Sequence, residues 1–92
     1  MTAEQAELLA IRALGWLAGN DELWPAFLGA TGASVDSLRT AAADPAFLAS
    51  VLDFLTQADA TVIAFCDAGG LTYEAPLAAR RALPGGAEVN WT

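Results

Sequence analysis

A chain of 92 residues has material for one core, and its 11 acidic against 4 basic residues give a net charge of −7. That balance repels phosphate backbones and anionic lipid, and Arg12, Arg39, Arg80 and Arg81 form no basic stripe, so direct nucleic-acid binding is not expected. With no histidine and one cysteine, the chain lacks the ligands for zinc, haem or iron–sulfur sites, the pairs for a disulfide framework and the imidazole for a Ser/His or Cys/His nucleophile.

The opening MTAEQAELLAIRALGWLAG turns apolar after Glu7, but it carries Glu4 and Glu7 where a secretory signal is basic. The longest uncharged run in the folded part, Trp24 to Val35, is 12 residues and holds Pro25, Gly29 and Gly32. A membrane span needs about 20 apolar residues. A cytoplasmic location with no membrane partner is therefore the expectation. Of 51 apolar residues 22 are alanine, so the core must be built from the 13 leucines with Val, Ile, Phe and Trp.

In chain order, Thr2 followed by Gln5 forms a capping box for a first helix that runs to Ala18 and stops at Gly19 and Asn20. Ala6, Leu9, Ala10, Ala13, Trp16 and Leu17 share one face. Leu8 and Ile11 fall outside it, so this helix is either central or meets a partner. A second helix spans Asp21 to Ala30, with Pro25 tolerable only in its first turn and Gly32 beyond its end. Ser34 caps a third, Val35 to Ala43, with Val35, Leu38 and Ala42 on its apolar side.

Asp44 and Pro45 then mark a sharp helix start. In DPAFLASVLDFL the side chains of Phe54, Phe47, Val51, Leu55, Leu48 and Leu52 make one stripe, leaving Ala49 and Asp53 on the polar arc. Asp59 is the expected cap of a fifth helix through Ala68, with Val62, Ile63, Phe65 and Cys66 as its stripe and Gly69, Gly70 and Leu71 as its ending. Thr72 is the expected cap of a sixth, Tyr73 to Leu83, carrying Pro76 in its first turn and the Arg80/Arg81 pair near its end. Pro84 and two glycines stop it, and residues 85–92 read as a flexible tail.

Little chemistry is encoded. No residue set suggests a cofactor or metal: GATGAS lacks the strand and the lysine of a phosphate loop, and no Asp-x-Asp run offers a calcium loop. Cys66 lies on an apolar stripe and reads as a packed thiol. Asp53, Asp59 and Asp67 could meet as a carboxylate group between helices, or serve as solvated charges and caps. The Arg80/Arg81 pair either joins surface carboxylates or recognises an acidic partner. Trp16, Trp24 and Phe27 are either core or a docking patch, and Trp91 can fold back, stay in solvent or anchor a partner.

The segments ALGWLAGNDELWPAFLGATG, DPAFLASVLDFL, VIAFCDAGGL and AARRALPGG together resemble the small bacterial family known as domain of unknown function 3572. The likeness covers Ala6 to Gly86 and is most specific in DPAFLASVLDFL followed by AFCDAGGL. The resemblance implies a helical domain that stands alone and carries over no site.

These readings converge on an all-α, single-domain bundle of five to six short helices over residues 1–84. The expected role is a non-enzymatic protein–protein interaction module that can self-associate, with Trp16, Trp24, Phe27, Asp53 and Trp91 as its candidate surface and no cofactor. Two other readings stay open: an acidic regulator occupying a basic surface on a nucleic-acid-binding partner, and a small-ligand binder or enzyme with buried carboxylates.

Overall fold

The computed structural model describes residues 1–83, and among them there are six helices and no strand. They are α1 (Ala3–Ala18), α2 (Leu23–Thr31), α3 (Val35–Ala41), α4 (Pro45–Leu55), α5 (Asp59–Gly69) and α6 (Ala75–Arg81). The expected tail, with Trp91, lies outside the described residues.

Three helix starts follow from local hydrogen bonding. The Thr2 hydroxyl accepts the Gln5 amide and the Gln5 side chain accepts the Thr2 amide, which closes the capping box of α1. Ser34 and Ser37 make the same reciprocal pair at α3. Asp44 accepts the Ala46 amide while Pro45 fills the first position of α4, where its missing donor costs nothing.

The other three starts differ from expectation. The side chain of Asn20 accepts the amides of both Glu22 and Leu23, so a turn occupies Asp21 and Glu22 and α2 begins at Leu23. Asp59 is not the cap of α5; Ala58 holds that position, and Asp59 lies inside the first turn, where its charge complements the helix dipole. Thr72 does not cap α6 either. Its carbonyl accepts the Ala75 amide and the Cys66 thiol, and the helix starts at Ala75 with the Pro76 ring fully buried beneath it.

Two ends use glycine as a left-handed residue: Gly32 at φ 71° closes α2 and Gly70 at φ 68° closes α5. After Gly70 the Leu71 amide returns to the Cys66 carbonyl at 2.9 Å and Leu71 packs against the core, the expected Schellman-type ending. Gly19 ends α1 with a negative φ of −88°, so it needs no left-handed residue.

Helix α1 is the hub, packed against α4, α6 and α2, while α4 also meets α6 and α2. Ala6, Leu9, Ala10, Ala13 and Leu17 are its buried residues, and the alanines let neighbouring helices approach closely. On α4 the buried set is Leu48, Ala49, Val51, Leu52 and Leu55, with Phe47 and Phe54 only half-buried. The core face is therefore turned from the expected stripe toward Ala49. Helix α3 buries nothing, and Val35, expected on its apolar side, is 67% exposed. Ile63 is likewise outside the core, whereas Phe65 and Cys66 of α5 are in it.

Candidate functional site

The aromatic residues singled out above separate into two places. Phe27 is fully buried and stands at the centre of a ring cluster: Trp24 stacks on it at 5.6 Å, and Phe54 and Phe47 meet it edge to face at 5.4 and 6.1 Å. Its candidacy as surface is corrected by that burial, because a side chain with no exposed area offers nothing to a second molecule. Trp16 is half-buried and meets Phe65 of α5 edge to face at 5.7 Å, a separate contact. Both indoles are attached to the core rather than projecting as a shared patch.

Asp53 is exposed, as the helical angles require, but it has a partner on another helix. The Arg80 Nε donates to its Oδ1 at 2.5 Å, joining α6 to α4. Four residues along a helix return about 40° past a full turn, so Asp53 flanks Ala49 on the side to which the buried face is turned. That rotation brings Asp53 within reach of α6.

Asp53, Asp59 and Asp67 line three different hollows. Asp53 borders a hollow of about 370 Å³ between α2 and α4, with Thr31, Phe47 and Ser50 also in its wall. The hydroxyls there donate to backbone carbonyls of their own helices, Thr31 to Phe27 and Ser50 to Phe47. Asp67 accepts the Tyr73 hydroxyl at 2.8 Å beside a second hollow of about 300 Å³. Asp59 lines a third, of about 240 Å³, with Val62, Tyr73, Pro76 and Leu77. Among the described Asp and Glu side chains all are exposed except Glu7, which is half-buried. No described polar side chain is buried, and no three described carboxylate or thiol groups converge on a metal-sized site.

Cys66 is fully buried, and its Sγ donates to the Thr72 carbonyl at 3.3 Å. Burial pushes the thiol above its ordinary range, and the charges of Asp67 and Glu74 add to that push. A thiol held protonated is a poor nucleophile.

Outside these places the surface carries large apolar side chains. Leu8 is 60% and Ile11 45% exposed, one turn apart on the outward side of α1. Tyr73 and Leu77 form the exposed rim of the third hollow. For Leu8 and Ile11 the signal was in the spacing, since both fall off the core face of their helix. For Tyr73 and Leu77 there was none, because the start and rotation of α6 are set by its packing on α1 and α4. Arg12, beside Ile11, donates through Nη2 to the Gly69 carbonyl at 3.1 Å and so ties α1 to the end of α5.

A family model described as protein of unknown function (DUF3572) matches residues 3–86. The chain belongs to this family. No curated protein and no solved structure matches it. The matched span contains the motif DPAFLASVLDFL, in which Asp44 and Pro45 start α4 and Leu48, Leu52 and Leu55 are buried. Among the described residues of this DUF3572 chain no single helix is long and apolar enough to cross a membrane.

Proposed function

We propose that this domain is a cytoplasmic, non-enzymatic protein–protein interaction module that works through the outward face of α1. The observation that carries the reading is the exposure of Leu8 and Ile11, adjacent on one helix turn, although that helix is the hub of the core. Single exposed apolar residues are ordinary; two neighbours on one rigid helix make a face on which a partner can bury area. The described carboxylates are exposed, apart from the half-buried Glu7, which favours a binding role over general acid or base work in an enclosed site.

The test is affinity capture with the wild-type domain and with Leu8→Glu/Ile11→Glu at two salt concentrations. Partners retained by the wild type and lost by the variant at both salts support the reading, because apolar contacts are little screened. Identical retention by both proteins overturns it.

A second reading draws on charge: Asp44, Asp53, Asp59 and Asp67 are all exposed on a domain of net charge −7 and would suit the basic surface of a nucleic-acid-binding protein. It predicts capture that disappears at high salt and ignores the α1 variant.

A further inference from the structure

The outward side of α1 carries Glu4, Leu8, Ile11, Gly15 and Ala18, all exposed and spaced alternately by four and three residues. This is the spacing of a heptad seam, with Leu8 and Gly15 in the first core position and Glu4, Ile11 and Ala18 in the second. Glu7 and Arg12 then flank the seam on opposite sides, five residues apart. In a parallel two-stranded pairing, those two flanking positions face each other across the helices. The seam is thus complementary in charge to itself, twice over, when two copies lie parallel. An antiparallel pairing sets Arg12 against Gln5 and Glu7 against Leu14, and the match is lost.

Gly15 points the same way. A glycine inside a helix weakens it, and here the φ is not left-handed and a Cβ would meet nothing within 4 Å. Nothing in its own fold requires the glycine. Close approach of a second helix backbone does, and Ala18, one turn on, is also small. Arg12 is oriented by its bond to the Gly69 carbonyl, and a guanidinium has five donors, so it can hold a carboxylate as well.

We propose that two copies of this chain pair through α1 in parallel, Leu8 on Leu8 and Ile11 on Ile11, with closest approach at Gly15 and Glu7 facing Arg12 of the second copy. The pairing rests on the interaction reading above and names its partner. At the N-terminal turn Glu4 meets its own copy, so the helices part there and contact runs from Leu8 to Ala18, about 15 Å of helix. So short a seam gives a weak, concentration-dependent dimer.

Parallel, in-register pairing sets position 8 opposite itself, so Leu8→Cys is oxidised to an intermolecular disulfide several-fold faster than Ser37→Cys on the exposed α3. The wild type, with Cys66 buried, forms none. Glu4→Gln removes the one repulsive contact and raises the cross-linking rate of Leu8→Cys further; circular dichroism checks that each variant is folded. Equal rates at positions 8 and 37, or cross-linking of Leu8→Cys only to an Ile11→Cys chain, overturn the parallel pairing. If the cross-link is absent while capture still depends on Leu8 and Ile11, the pairing fails and the interaction reading stands; if capture ignores them too, both fail.

Discussion

Arg80, in the last turn of α6, donates its Nε hydrogen to Oδ1 of Asp53 on α4, across 27 residues of sequence. The two ends of the pair sit in different surroundings: the Arg80 side chain is 16% exposed and that of Asp53 54%. The pair therefore lies at the edge of the core, with the arginine stem packed and the carboxylate in water.

Substitution at the two positions should be unequal. Asp53→Asn removes a largely solvated charge and is expected to cost roughly 0 to 1 kcal/mol, the range of surface ion pairs. Arg80→Ala also removes the packed stem and should cost more. Urea unfolding of both single variants and the double variant measures this; a coupling energy above about 1 kcal/mol would place the pair in a drier setting than its exposure indicates.

Phe27 joins α2 to α4 through Phe47 and Phe54. Phe27→Ala should cost about 3 to 5 kcal/mol, much of the 5 to 15 kcal/mol total typical of a domain, and Phe27→Leu less. Thermal melts followed by circular dichroism read the difference. A Phe27→Ala protein as stable as the wild type would contradict the core described here.

Glycine substitutions should take opposite signs. Gly70→Ala forces a Cβ onto a φ of 68° and destabilises, by about 1 kcal/mol. Gly15→Ala meets no atom within 4 Å and should stabilise the isolated fold by about 0.5 to 1 kcal/mol. Denaturation at low protein concentration gives both numbers.

Cys66 predicts a loss of stability on the alkaline side. Its folded pKa is raised by burial first, then by Asp67 and Glu74, so the folded chain keeps the proton after the unfolded chain has released it. The contribution is fully present below the ordinary thiol value of about 8.5 and declines as pH rises through the folded pKa. Tyr73, raised chiefly by its hydrogen bond to Asp67, acts in the same direction at higher pH. Stability measured against pH should fall less steeply above about 8.5 in Cys66→Ala than in the wild type. An unchanged slope would contradict the burial of the thiol.

What could be read in the sequence was set by short-range chemistry. The caps at Thr2, Ser34 and Asp44 lie within three residues of the amides they bind, and the starts of α1, α3 and α4 came out as expected. The starts of α5 and α6 did not, because neither has a side-chain cap, and at α6 the buried Pro76 occupies the first turn; that of α2 shifted because the Asn20 side chain takes the Glu22 and Leu23 amides. Helix rotation was legible only approximately: Ala49 borders both arcs of α4, and an alanine does not say which arc is core. The joining of Asp53 to Arg80 depends on that rotation and on α6, and no spacing along the chain encodes it. For α1 the exposed Leu8 and Ile11 were visible as residues off the core face, and the structure adds the unoccupied space beside Gly15.

The central claim, that the outward face of α1 joins two copies of the domain, is tested most directly by light scattering behind size exclusion. The wild type and Leu8→Glu/Ile11→Glu would be compared from about 10 µM to about 1 mM, which spans dissociation free energies near 4 to 7 kcal/mol. The wild-type mass is expected to rise toward twice 9.5 kDa with concentration, and the mass of the variant to stay at the monomer value while its helical signal is retained. A wild type monomeric throughout, or a variant that dimerises as well as the wild type, would contradict the pairing.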